Sequence, residues 1–238
     1  MNPPEPQRVA IITGASQGIG AGLVEGFRRS GYAVVGTARA IDSSDAPDYL
    51  TVAGDIAAAG TAQRVVEETL ARFGRIDSLI NNAGIFIGKP FTDYTAEDLT
   101  AITAVNLAGF FHITQLAIRH MVEQRAGHVV NLSTSLVDHP DSKRPSALAA
   151  LTKGGLAAVT RSLAIEYAAR GIRVNAVALG VIKTPQHDLT SYAGMAALHP
   201  LGRLGEVSDV VDGILYLERA PFVTGEILHI DGGQAAGG

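Results

Sequence analysis

Arg8-Val-Ala-Ile-Ile-Thr13 runs directly into Gly14-Ala-Ser-Gln-Gly18-Ile-Gly20, and Ala21-Gly-Leu-Val-Glu-Gly-Phe-Arg-Arg-Ser30 follows. The first stretch is short, apolar and β-branched, which reads as a buried strand. The last reads as a helix stopped by Gly31. Strand, glycine cluster and helix in this order turn backbone N–H groups and a helix N-terminus toward an anion. The spacing is G-x-x-x-G-x-G rather than G-x-G-x-x-G. The physical roles carry over: Gly14 makes the turn, Gly18 admits a pyrophosphate and Gly20 lets helix and strand pack closely. Taken alone, a glycine-rich turn that binds nothing is the plainer alternative.

Reading outward, six more apolar runs qualify as strands: Ala33–Thr37, Tyr49–Ala53, Arg75–Asn81, His128–Ser133, Ile172–Ala178 and Glu226–Ile230. Helical patterns separate most of them, at Thr61–Phe73, Leu99–Gln124 (after a cap at Thr95), Ala147–Arg170 and Glu206–Glu218. Strands alternating with helices predict an α/β fold: a single-domain, Rossmann-like, doubly wound parallel sheet of about seven strands with helices on both faces. No linker divides residues 1–238; residues 1–7 read as a flexible Pro-rich tail and 179–205 as a long loop. A ligand is expected beyond the carboxyl ends of the strands, at the switch point.

Composition narrows the chemistry. Apolar residues are 47%, charged residues 18%, and cysteine is absent. A disulfide scaffold, a Cys-ligated metal and a thiol nucleophile are therefore excluded, and no metal site is expected. The net charge of −4 offers no excess of cations for phosphate backbones, so no nucleic-acid partner is expected. Met1-Asn-Pro-Pro-Glu-Pro-Gln-Arg8 lacks the apolar core of a signal peptide, and no apolar run reaches about 18 residues. The expectation is a cytoplasmic protein with no membrane partner.

Several ordered motifs then resemble the short-chain dehydrogenase/reductase family over residues 8–235. They are the Thr13–Gly20 loop, Asp55 after the third strand, Asn81-Asn-Ala-Gly84, Asn106 in Ala104-Val-Asn-Leu-Ala-Gly109, and Val130-Asn-Leu-Ser-Thr134. Lys153, Asn175–Thr184 and Phe222–Gly233 complete the series. The resemblance implies a nicotinamide cofactor held by Gly14, Ser16, Gln17, Gly18, Ile19, Gly20, Arg39, Asp55, Ile56, Asn82, Ala83, Gly84, Lys153, Gly180, Ile182 and Thr184. It implies catalytic roles for Asn106, Lys153 and a hydroxyl residue at Thr134 or Ser135. It also implies a small-molecule carbonyl or alcohol substrate and a homodimer or homotetramer, paired through the helices matching 99–124 and 147–170.

Two departures matter. Where an Asp would accept the adenosine ribose hydroxyls of NAD, the chain has Ala38 and Arg39. A small residue makes room for a 2′-phosphate and a guanidinium can fork onto it, so NADP(H) is favoured over NAD(H). Asp42 and Asp45 lie close enough in sequence to neutralise Arg39 instead. Second, the family's Y-x-x-x-K places its proton-transferring Tyr one turn before Lys, and here that position is Ala149. Leu148 and Leu151 also depart from the usual pattern, as natural divergence would.

The substitute proton donors are a water held by Lys153, Asn106 and a hydroxyl of Thr134 or Ser135, or else the side chain of His139, Ser146, Tyr192 or His187. Gly154 and Gly155, poor helix formers, predict close packing of the helix beside Lys153. Tyr192, Met195, Leu198, His187 and His199 give residues 186–200 the mix expected of a lid. Three functions remain open: an NADP(H)-dependent oxidoreductase with an unconventional proton donor, a cofactor-binding protein without turnover, and an enzyme of hydration or elimination.

Overall fold

A computed structural model describes residues 6–185 and 192–237. The strands are β1 (Val9–Thr13), β2 (Ala33–Ala38), β3 (Tyr49–Ala53), β4 (Ser78–Asn81), β5 (Gly127–Thr134), β6 (Ile172–Leu179) and β7 (Ile227–Ile230). They form one sheet in the order β3-β2-β1-β4-β5-β6-β7, with every pair parallel. From β1 the chain first builds one half of the sheet outward and then returns beside β1 to build the other. The switch point therefore lies between β1 and β4, where a crevice opens at the carboxyl ends.

The helices are α1 (Gly18–Arg29), α2 (Ala59–Phe73), α3 (Ala96–Thr103), α4 (Phe110–Gln124), α5 (Ala147–Tyr167), α6 (Tyr192–Ala196) and α7 (Val207–Arg219). Alternate strand residues feed two cores, as the period of two requires. Val9, Ile11, Val35, Leu79, Val129 and Val174 pack with Val65, Ile113, Ala117, Met121 and Ala164 of α2, α4 and α5. Ala10, Ile12, Val34, Ile80, Val130 and Val177 pack with Leu23, Phe27, Val210 and Ile214 of α1 and α7. Burial on both faces explains why the inner strands read as continuous apolar runs.

α3 and α4 are one rod, Ala96–Gln124, joined through a π-helical turn at Ala104–Gly109. It starts at Ala96, directly after the expected cap at Thr95, where Thr95 and Asp98 form a reciprocal capping box. With a mean hydropathy of 1.4 it is long and apolar enough to cross a membrane by length and composition alone. Its Ile102, Ile113, Ala117, Ile118 and Met121 are instead buried within this fold.

β4 is shorter than the sequence suggests. Its expected first residues are taken by side chains: Arg75 and the Val9 N–H both bond the Asp77 carboxylate. The Gln124 amide bonds both Ile76 N–H (3.0 Å) and Ile76 C=O (2.7 Å). Likewise α1 begins at Gly18 rather than Ala21, so the end of the glycine cluster is the first helical turn.

At the amino ends of the strands sits a buried polar cluster. Glu218 of α7 accepts from Tyr32 (2.8 Å), Ser78 (2.9 Å) and His128 Nδ1 (2.7 Å). His128 Nε2 accepts from Asn175 (3.0 Å), which fixes the neutral tautomer. Burial pushes the Glu218 carboxyl up, but the bonds from His128, Tyr32 and Ser78 leave it below its ordinary value. Burial pushes His128 down, the direction of a neutral imidazole.

Candidate active site

A cleft of about 710 Å³ opens at the carboxyl ends, spanning the switch point from β2 to β6. Its floor is the glycine loop. Gly14 (φ +67°) and Gly18 (φ +55°) adopt left-handed conformations that other residues rarely tolerate. A Cβ on Gly20 would collide with the Gly14 carbonyl and lie 2.8 Å from Asn82 Nδ2. The bare backbone at these positions forms a cradle. Asn82 Nδ2 donates to Thr13 C=O (2.8 Å) and Gly14 C=O (3.1 Å), while Thr13 Oγ1 accepts from Ala83 N–H (2.9 Å). The loop is thereby stitched to the end of β4.

Thr37, at the end of β2, lines the same cleft with a buried hydroxyl that has no hydrogen-bond partner among the described residues. A cradle open to a phosphate group and an orphaned hydroxyl on its wall fit a bound dinucleotide. Arg39 follows, exposed and without an ion pair among the described residues. Asp42 and Asp45 do not pair with it; the nearby Asp48 is held by Arg28 at 2.8 Å. Asp55 accepts from Ala57 N–H at 3.0 Å, and Asp55 and Ile56 form the wall beyond β3. Gly180, Ile182 and Thr184 line the opposite rim.

Lys153 reaches the cleft from α5. Its Nζ donates to Leu132 C=O at 2.7 Å, and burial lowers its pKa from 10.5 to about 8. Gly84 makes room for it, since a Cβ there would lie 2.9 Å from Nζ. Ala149, one turn earlier, is 1% exposed and faces the same cleft. Gly154 and Gly155 do not pack against a backbone: added Cβ atoms would meet only Val137 Cγ1 at 3.6 Å and Leu107 Cδ2 at 3.9 Å. These are ordinary contacts, so space at Lys153 does not explain that glycine pair.

The structure brings Ser16, Gln17, Ile19, Ala83 and Thr134 to the cleft with the residues above, but not Asn106 or Ser135. Asn106 sits within the π-helical turn, buried, and grips Ile85 by both N–H (2.9 Å) and C=O (3.0 Å). Its amide also donates to Thr152 at 3.1 Å, which leaves it a positioning residue. Ser135 is fully buried and donates to Asp231 at 2.9 Å, because the chain turns inward after β5. Thr134 is the hydroxyl residue of that pair on the cleft wall.

Neither His139 nor Ser146 lines the cleft. His199 is committed to structure: Nε2 accepts from Val181 N–H (3.0 Å), and Nδ1 meets Met195 C=O (3.1 Å). His187 and the Tyr192 side chain, candidate parts of a lid and candidate proton donors, lie outside the described residues. The sequence reading missed Thr37, Phe86, Leu136, Arg144 and Gln234 as cleft residues. Thr37 had a signal, its place at the end of a strand beside the switch point; the others come from loops and chain ends that only the fold brings together.

The family model described as enoyl-(acyl carrier protein) reductase matches residues 14–235. The chain belongs to the short-chain dehydrogenase/reductase family, and its characterised relatives are oxidoreductases. It is 33% identical to the 3-oxoacyl-[acyl-carrier-protein] reductase FabG of Escherichia coli, over 95% of this chain and 97% of the relative. The FabG of Thermotoga maritima is 35% identical over 95% and 97%. Among solved structures, ElxO with NADP bound superposes with a TM-score of 0.89 at 30% identity, covering 96% of this chain and 98% of that one. The 3-ketoacyl-(acyl-carrier-protein) reductase from Brucella melitensis, complexed with NADH, gives 0.88 at 31%, covering 97% and 99%.

Proposed function

We propose that the protein is an NADP(H)-dependent oxidoreductase of a ketone or secondary alcohol, in which Lys153 and Thr134 manage the proton that a tyrosine carries in the family pattern. The observation that carries this reading is the placement of Lys153 on the cleft wall beside the buried Ala149. Among the described residues lining the cleft there is no His or Tyr, and Asp55, beyond β3, is the only carboxyl.

The cofactor, when bound, supplies a hydride to the carbonyl carbon or accepts one from the alcohol carbon. Gly14–Gly20 would hold its pyrophosphate, Asp55 its adenine, Lys153 its nicotinamide ribose and Arg39 a 2′-phosphate. Arg39 has no ion pair among the described residues and follows the small Ala38, which supports NADP(H); the NADP-bound relative agrees, while the NADH-bound one shows that the fold alone does not decide.

Reduction also needs one proton on the carbonyl oxygen. An ammonium has three N–H donors, and Leu132 C=O takes one from Lys153. A pKa of about 8 keeps Lys153 protonated at neutral pH yet poised to release a proton. Thr134 Oγ1 accepts weakly from Leu136 N–H at 3.3 Å, so its own hydrogen is free to bond a substrate oxygen. Residues 1–238 work as one unit with 179–205 as substrate loop. Exposed Phe111 and Ile165, on α4 and α5, support pairing of two copies.

Ala149 itself favours a second reading, a cofactor-binding protein without turnover. NADPH oxidation with a panel of ketones and dicarbonyls, natural protein beside Ala149→Tyr, separates the two. Turnover by the natural protein supports the first reading. Turnover by the tyrosine variant alone supports the second.

A further inference from the structure

Four arginines are partly buried among the described residues: Arg28, Arg75, Arg144 and Arg173. Three are matched. Arg28 pairs with Asp48 (2.8 Å), Arg75 with Asp77 (2.6 Å), and Arg173 donates to the carbonyls of Leu217 (2.8 Å) and Glu218 (3.0 Å). Arg144 differs. It lies in the segment between β5 and α5, where its backbone N–H donates to Asp141 C=O (3.0 Å), and its side chain lines the cleft. Its guanidinium has no hydrogen bond or ion pair among the described residues.

The charges around it leave that guanidinium unanswered. Among the described residues, the β5–β7 side of the cleft carries Arg144 and Lys153 but no carboxylate, since Asp55 stands on the far side, beyond β3. The acids near this end are engaged elsewhere. Asp231 accepts from Ser135 (2.9 Å), Gly233 N–H (2.9 Å) and Ala235 N–H (2.8 Å). Asp138 meets His229 at 3.0 Å, and Asp141 accepts from Lys143 N–H at 2.9 Å. Gln234, nearly buried, adds a side-chain amide to the wall with no hydrogen bond among the described residues. A partly desolvated cation that no described residue neutralises calls for an anion from outside. The rigid guanidinium fork matches a carboxylate with two parallel N–H···O bonds. Phe86 and Leu136 on the same cleft supply apolar surface for the body of such a molecule.

We infer that Arg144 binds a carboxylate of the substrate, so that the molecule reduced, or formed by oxidation, is an oxo acid rather than a neutral ketone. This rests on the oxidoreductase reading above and names the substrate class of that same cleft.

The test compares matched pairs: short-chain 2-oxo and 3-oxo acids against their methyl esters, with NADPH, for the natural protein, Arg144→Gln and Arg144→Lys. The natural protein is expected to favour acid over ester in kcat/KM by about 10–100-fold, the range of a charge-assisted hydrogen-bonded pair. Arg144→Gln is expected to collapse that ratio, chiefly through KM for the acid. Arg144→Lys is expected to restore part of it, having the charge without the fork. An unchanged acid-to-ester ratio in Arg144→Gln overturns the inference. If neither acid nor ester turns over, calorimetric binding of the oxo acids to the NADPH-loaded protein decides. Binding that Arg144→Gln abolishes keeps the carboxylate site and removes only the oxidoreductase reading. Equal binding by both proteins, or none by the natural protein, overturns the carboxylate site itself.

Discussion

Raising the pH from 7 to 9 asks directly whether Lys153 is the proton source. Burial holds its pKa at about 8, against an ordinary 10.5. The ammonium fraction then falls from about 0.9 at pH 7 to about 0.1 at pH 9, a tenfold loss, whereas a lysine at its ordinary value would lose only a few per cent. Carbonyl reduction requires the protonated form, so kcat/KM should drop about tenfold over this interval and continue down. Alcohol oxidation requires the deprotonated form and should rise over the same interval. The cleft has no His or Tyr among its described residues to imitate the profile. The assay is the initial rate of NADPH oxidation at saturating cofactor and low ketone, with Lys153→Arg as the control. That variant cannot release its proton at these pH values and should give a flat profile at low rate. A natural-protein rate that stays within about twofold from pH 7 to 9 would refute Lys153 as the donor.

Arg39→Asp should weaken NADPH binding by about 10–100-fold and favour NADH, since a carboxylate repels a 2′-phosphate and accepts ribose hydroxyls; fluorescence titration reads both, and an unchanged preference removes Arg39 from the phosphate site. Gly20→Ala should cost about 1–3 kcal/mol of stability through overpacking against the Gly14 carbonyl, seen as a lower urea midpoint together with weaker NADPH binding; a variant matching the natural protein in both would show that the cradle is not closed. Glu218→Gln should destabilise by roughly 2–5 kcal/mol, because it exchanges an acceptor of three buried donors for a group that must itself donate. NADPH affinity of the folded Glu218→Gln variant should hold, since the cluster lies at the other end of the strands; a stable variant with lost affinity would contradict that separation.

The fold was legible because its signals are local and repeated. The inner strands are buried on both faces and so read as apolar runs, and the glycine cluster after β1 announces the floor of the cleft. The boundaries were less legible, because they depend on side chains distant in sequence. Ile76 reads as strand but bonds Gln124, 48 residues on, and Asp77 serves the Val9 N–H, 68 residues back. The part of the cleft from the glycine loop to Gly84 follows the strand ends in order and could be read in order. The substrate half could not. Nothing in Thr134-Ser135 tells which of the two hydroxyls faces the cleft; Asp231, 96 residues from Ser135, decides it. Arg144 carries no signal in its segment, since its meaning lies in the acids that do not meet it.

The two amide grips on either side of β4 come from one helical rod, Gln124 on Ile76 and Asn106 on Ile85. Between the amides lie 124 − 106 = 18 residue steps of helix, about 27 Å at 1.5 Å each. Between the gripped residues lie 85 − 76 = 9 steps of chain, at most about 30 Å when extended. The rod thus works as a gauge for the segment it holds, two helical steps to one extended step. Insert a single residue anywhere between Asn106 and Gln124, and one amide swings by about 100° around the rod and loses its peptide. Insert one between Ile76 and Ile85, and the mismatch is about 3.3 Å with the side chains beyond it turned to the wrong face. Length variation should therefore be barred from both stretches and fall in the loops outside them. The same linkage gives the cleft a mechanical connection to the amino ends of the strands: a sideways shift of the rod at Gln124 should reach Ile85, on the cleft wall, without passing through the strands.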